Sequence, residues 1–191
     1  MKFRDKCPQR STGISVEKDY KKYRSQLAAD FNHRCGYCND LDTPRKEYFE
    51  IDHFVPKDIM KTMTDNDYSN LVYACHSCNN AKRAKWPSGD EKISLVGDTG
   101  WIDPCTAAYE AQFERTDTGA IKPKTELGQW MYDNLKLGKT QHEYLWNIEQ
   151  LDIICKGFDV KMADNADNVV FKDNYLDCLR EYKKNIELLF K

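Results

Sequence analysis

The sequence predicts an α+β fold, in which a small strand-strand-helix unit stapled by four cysteines is followed by a mostly helical lobe. Three observations predict it. Two Cys-x-x-Cys pairs, Cys35–Cys38 and Cys75–Cys78, are separated by 36 residues. Between them sit two short apolar runs separated by a polar loop, and beyond residue 125 the apolar residues return at helical spacing. Paired knuckles at short internal spacing are the sequence form of a closed tetrahedral zinc site with four cysteine ligands.

The elements follow in order. Residues 1–15 hold Pro8 and Gly13 and read as an irregular arm. Val16, Tyr20, Tyr23, Leu27 and Phe31 recur at three- and four-residue steps, which predicts an amphipathic helix over 16–31. Tyr48–Ile51 and Leu71–Ala74 read as strands, with Lys57, Asp65, Asn66 and Asp67 in the loop between them. A helix is expected from about Cys78, with Ser77 as N-cap and Pro87-Ser-Gly as its stop. Tyr109–Lys124 reads as a hairpin around Asp117-Thr-Gly119. Glu126–Leu137, Gln141–Cys155 and Asn174–Phe190 read as helices, the first ended by Gly138 and the second by Gly157. The chain is accordingly divided into 1–34, an arm and helix; 35–87, the stapled finger; and 88–191, a hairpin and helical lobe.

Composition bounds the function. Hydrophobic content of 40% suffices for a core, and no apolar run approaches a membrane span. The N-terminus lacks the apolar segment of a signal peptide. Of eight cysteines, four sit in knuckles, while Cys7, Cys105, Cys155 and Cys178 are scattered. Thiolates on zinc imply a reducing compartment, so a cytoplasmic location is expected. Net charge is −2, but its distribution is uneven. Residues 1–34 carry nine Lys/Arg against four Asp/Glu, a net of +5; residues 35–86 have −1 and residues 87–191 have −6. Phosphate binding follows local Lys/Arg density, so nucleic acid is expected near the finger and a protein partner at the acidic tail.

The chemistry-bearing residues are Asp52-His53, Asn70, and Asn79-Asn80-Ala-Lys82 directly after the second knuckle. An Asp-His pair inside the cysteine-closed loop places a hard oxygen ligand beside an imidazole base, which is hydrolytic equipment. In this order the elements resemble the HNH endonucleases, the ββα-metal finger, over residues 35–86. The family's last name-giving position is often His where this chain has Asn79, a residue some HNH nucleases carry there. The resemblance implies that His53, with an unperturbed pKa near ~6.5, is the general base. It implies that Asp52 and Asn79 hold a catalytic Mg²⁺ or Mn²⁺, and that Asn70 ties the loop back to steady the base. Lys82, three residues after Asn79 on one helix face, is expected to approach the phosphate. Lys57, Arg83 and Lys85 are expected backbone contacts. His76 reads as a solvent-facing turn residue, Tyr37 and Trp86 as packing; His33 and His142 carry no constellation.

Softer signals, His53-Phe-Val-Pro-Lys57, Asp67-Tyr-Ser-Asn-Leu71, Asp103-Pro104 and Gly119-Ala-Ile-Lys-Pro123, resemble the HNH subunit of Septu-type and retron-linked anti-phage systems. That likeness implies a defence effector controlled by a partner, for which an ATPase subunit is the candidate. The competing readings are a free-standing restriction or homing enzyme and a zinc ribbon that binds nucleic acid or protein without chemistry. A zinc deaminase is excluded, because none of the four histidines has Glu two residues on. A thioredoxin-like enzyme would need a single Cys-x-x-Cys opening a helix.

Overall fold

The computed structural model describes residues 1–43 and 48–190. It divides into two compact units, Met1–Thr116 with Ile121–Gly138, and Asp117–Ala120 with Lys139–Lys191. The first unit takes in the expected arm, the expected finger and the segment that follows through Gly138.

In the first unit a 3-10 turn, Tyr20–Tyr23, leads into helix α1, Arg24–Asp30. The helix expected from Val16 begins later, because Val16 is 91% exposed and has no core to face. Asp19 caps the turn instead, its carboxylate accepting from the Lys21 amide at 3.0 Å. Asn32 and His33 both take positive φ and turn the chain into the first knuckle. Strands β1 (Phe49–His53) and β2 (Leu71–Cys75) pair antiparallel, with Glu50 opposite Ala74, Asp52 opposite Val72 and His53 opposite Leu71.

Helix α2, His76–Lys82, starts two residues before the expected point. Its N-cap is Cys75, not Ser77: the Cys75 sulfur accepts from the Cys78 amide at 3.5 Å, so one knuckle serves both the cluster and the helix start. The helix stops at Arg83, which has φ of 48°, four residues ahead of Pro87.

Two short hairpins follow, β3 (Leu95–Val96) with β4 (Thr99–Gly100), and β5 (Phe113–Arg115) with β6 (Ile121–Pro123). The second is the hairpin expected around Asp117-Thr-Gly119, but Tyr109 lies in a one-turn helix, α3 (Ala107–Glu110), ahead of it. Helix α4 runs Glu126–Leu135 behind a Thr125 cap. It ends before Gly138 because Lys136 adopts the left-handed conformation, with Leu137 buried at 1% exposure. Leu27, Phe31, Tyr73, Trp101, Tyr109 and Leu135 fill the core of this unit.

The second unit is a pair of long helices, α5 (Thr140–Lys161) and α6 (Val169–Leu189), joined by a 3-10 turn. Both are longer than expected. Helix α5 continues through Gly157, where an added Cβ would meet nothing, so Gly is tolerated as an exposed interior residue and does not stop the helix. Helix α6 begins at Val169 because Asn168 caps it, accepting from the Phe171 amide at 3.0 Å. Phe158 of α5 packs on Phe171 and Tyr175 of α6 at ring separations of 5.0 and 5.4 Å. No helix among the described residues is long and apolar enough to cross a membrane.

Candidate metal cluster and active site

The four knuckle cysteines converge. Their sulfurs all lie within 4.8 Å of one another, and all four residues are buried. The first knuckle is held by its backbone: Gly36 donates to the Tyr73 carbonyl at 2.8 Å, and the Tyr109 hydroxyl donates to the Tyr37 carbonyl at 2.8 Å. Arg115 donates to the Cys38 carbonyl at 2.9 Å. Gly36 is required by close approach, since a Cβ there would meet the Phe31 ring at 2.7 Å and Val72 Cγ1 at 2.8 Å. Burial works against a thiolate at Cys35, yet hydrogen bonds from Cys38, Cys75 and Cys78 hold its thiol well below the ordinary value. Four soft sulfur donors closed on one point fit a structural zinc ion.

The face of β1 that meets α2 carries two parallel contacts. Glu50 and Asp52 are two residues apart on one strand face, and Asn79 and Lys82 are one turn apart on the helix. Lys82 Nζ donates to Asp52 Oδ2 at 2.9 Å and to the His53 carbonyl at 2.9 Å. Its side chain is 0% exposed and that of Asp52 8%. The Tyr37 hydroxyl donates to the same Asp52 oxygen. One turn back, Asn79 Nδ2 donates to Glu50 Oε2 at 2.6 Å, and His76 Nδ1 meets Glu50 Oε1 at 2.7 Å.

Lys82, expected to approach the phosphate, has an enclosed ammonium that donates to Asp52 and to the His53 carbonyl. Of the expected ligand pair, Asp52 meets Lys82 and Tyr37, and Asn79 meets Glu50.

His53 points to the other face of β1. Its Nε2 lies 2.9 Å from the Asp65 carbonyl, which can only accept, so the proton is assigned to Nε2 and the lone pair to Nδ1. Burial lowers its pKa, with Lys57 adding to the effect against the Asp65 hydrogen bond and the Asp52 and Asp65 charges. The imidazole is therefore neutral at pH 7. The Tyr20 ring stands edge-on to it at 4.8 Å. The peptide that follows it is fixed at both its polar groups: Lys82 holds the His53 carbonyl, and the Phe54 amide donates to the Asn70 carbonyl at 2.8 Å. Asn70, 3% exposed, accepts from the Val55 amide at 2.8 Å and donates to the Val55 carbonyl at 3.1 Å. The loop beyond is pinned by Glu91, which accepts from the Lys61 amide at 2.5 Å and the Thr62 amide at 3.0 Å.

Lys57, Arg83 and Lys85 are the other expected phosphate contacts, and Lys57 stands beside the base, against Asp65 and Tyr20. Lys57 pairs with Asp65 at 2.5 Å and lies over the Tyr20 ring at 4.6 Å. Arg83 is exposed, its Nε donating to Asn80 at 3.0 Å, and Lys85 Nζ donates to the Asn134 carbonyl at 3.4 Å. A cavity of about 470 Å³ is lined by Tyr20, Lys21, Arg24, Glu50, Ile51 and Asn79. Sequence reading missed Glu50, Lys21 and Arg24. Strand alternation from Asp52 would have pointed to Glu50, whereas nothing local marks Tyr37 as the partner of Asp52.

Comparison with known proteins places this finger. Residues 35–85 match the sequence profile of the family described as HNH endonuclease. The chain is 31% identical over 68 residues to the Septu protein PtuB of Bacillus thuringiensis, a match covering 36% of this chain and 26% of that protein. The chain thus spans about a quarter of the length of that curated relative. No solved structure matches it.

Proposed function

We propose that the chain is a metal-dependent endonuclease that hydrolyses phosphodiester bonds of nucleic acid, DNA in preference to RNA, with His53 as general base. The observation that carries this reading is the fixing of His53. A neutral imidazole is held at Nε2 by the Asp65 carbonyl and along its backbone by Lys82 and Asn70, which leaves Nδ1 as the basic atom. Positioning a base in this way is worth typically ~10²–10⁴ in rate.

In the proposed step Nδ1 of His53 takes a proton from water as the water oxygen bonds to phosphorus. The scissile phosphorus–oxygen bond breaks, and the leaving oxygen is protonated from solvent. A divalent cation, when bound, supplies charge neutralisation at the phosphoryl and leaving oxygens. Lys82, Asp52, Tyr37 and Asn70 are positioning residues in this scheme; Lys57, Arg83, Lys85, Lys21 and Arg24 offer charge to the substrate backbone. Purified protein incubated with plasmid DNA should cut with added Mg²⁺ or Mn²⁺ and stop in EDTA. Undiminished cutting with every hard cation removed would overturn the metal dependence.

The match to a Septu protein supports a place in anti-phage defence, in the cytoplasm, under the control of a partner protein that we assign as an ATPase. The −6 charge of residues 87–191 supports a docking role for the C-terminal part. Removal of residues 140–191 should abolish co-purification with that partner; retained complex would move the interface to the basic arm.

One observation favours a second reading, a non-catalytic binding module. Asp52 is committed to Lys82 and Tyr37, as in a structural ion pair. A chain that binds DNA but never cuts it under any divalent cation would establish that reading.

A further inference from the structure

Four of the cysteines belong to the metal cluster, and two of the others meet in the second unit. Cys155 lies on α5 and Cys178 on α6, 23 residues apart in sequence, with their Sγ atoms 2.7 Å apart. The register of the two helices puts them there. Phe158, one turn after Cys155, packs on Phe171 and Tyr175, which lie two turns and one turn before Cys178. The Cys178 thiol also reaches the carbonyl of Leu151, one turn before Cys155, at 3.6 Å. The two sulfurs are therefore brought together by the seam itself and not by one chance contact. Both thiols are free, Cys155 buried and Cys178 half-buried.

The separation is shorter than an ordinary contact between unbonded sulfurs and close to the ~2.05 Å of a disulfide, so side-chain rotation suffices to close it. Burial, the hydrogen bond with Cys178 and the charges of Asp159 and Asp152 push the Cys155 thiol up, which keeps it protonated and slow to react. Cys178, the more accessible sulfur, is the point of entry. A bond at this place would matter to the unit, because no residue of α6 is fully buried and the seam is thin.

We propose that Cys155 and Cys178 are a modification site, a thiol pair that a low-molecular-weight disulfide of the glutathione class oxidises to a reversible staple between α5 and α6. The Cys178 thiolate attacks one sulfur of glutathione disulfide and expels one glutathione thiolate. Cys155 then attacks the Cys178 sulfur of the mixed disulfide, loses its proton to solvent and expels the second glutathione. Two protein thiols are oxidised to one disulfide, and one glutathione disulfide is reduced to two thiols. In a reducing compartment the pair rests as dithiol, and a shift of the glutathione pool toward its disulfide closes the staple. The proposal is independent of whether the chain cuts nucleic acid.

The test treats full-length, zinc-loaded protein with glutathione disulfide, alkylates the remaining thiols and maps tryptic peptides by mass spectrometry. Trypsin places the two cysteines on separate peptides, residues 140–156 and 173–180. Wild type should yield these two joined, and a phosphine reductant should part them. Oxidation should raise the thermal midpoint, read by far-UV circular dichroism, by about 5 °C or more. Cys178→Ser should show neither the link nor the shift. Cys155→Ala should instead keep glutathione on Cys178, since nothing remains to displace it. Separately alkylated peptides from wild type in excess oxidant would overturn the site, as would a link from either cysteine to Cys7 or Cys105. A joined pair with an unchanged midpoint would overturn the staple.

Discussion

The two units of the chain are stabilised by different means. In the first, much of the order comes from polar groups inside: a four-thiol cluster, the Lys82–Asp52 pair, and Asn70 clamped on Val55. In the second, two long helices pack through a narrow aromatic and aliphatic seam, and no residue of α6 is fully buried. Val160, Val169 and Val170 are 83%, 68% and 69% exposed there. Buried polar networks are costly unless every member is satisfied, and they fix one geometry when they are. The first unit is therefore built to hold side chains in fixed relation. The second has surface to spare, as a docking element would.

The largest expected effect breaks the first unit and spares the second. Zinc on such a site contributes on the order of ~10–16 kcal/mol, as large as a domain's whole stability of ~5–15 kcal/mol. Cys75→Ser should therefore unfold the first unit, while far-UV circular dichroism retains a helical component from α5 and α6. A Cys75→Ser protein that is soluble, zinc-free and cooperatively folded would contradict the assignment.

A smaller effect tests the inner ion pair. Removing one partner of a buried pair leaves an uncompensated charge and costs ~3–5 kcal/mol. Lys82→Met should lower the denaturant midpoint accordingly, and adding Asp52→Leu should recover part of the loss. Lys82→Met with wild-type stability would show that the ammonium is solvated.

The smallest effect is pH-dependent. Amide hydrogen bonds from Lys61 and Thr62 lower Glu91 from its ordinary 4.5 to about 2. A depressed carboxyl stabilises the fold fully above 4.5, and that contribution is lost as pH falls toward 2. Glu91→Gln should flatten the acid limb of the stability curve across that window. An unchanged limb would place the acid sensitivity elsewhere.

The same contrast explains what could be read in the sequence. The knuckles, the two strands and the hairpin are local patterns with fixed spacing, so they were legible. The convergence of Cys35, Cys38, Cys75 and Cys78 followed from spacing alone. The engagement of Asp52 by Tyr37 and Lys82 was not legible, because it depends on how a knuckle turn and a helix meet the strand from opposite ends of the finger. Helix ends failed for a related reason. Cys75 took the cap from Ser77 because the cluster already fixed its sulfur. Gly157 did not stop α5 because nothing competes with helix at an exposed position.

The central claim is that His53 is a positioned base on a scaffold that does not need its imidazole, and His53→Ala tests it most directly. The Lys82 and Asn70 bonds reach the backbone around His53, so the substitution leaves them in place. Cleavage of plasmid DNA in Mn²⁺ should fall by ~10²–10⁴, with zinc content, folding and DNA affinity unchanged. Cleavage by His53→Ala near the wild-type rate would contradict the account.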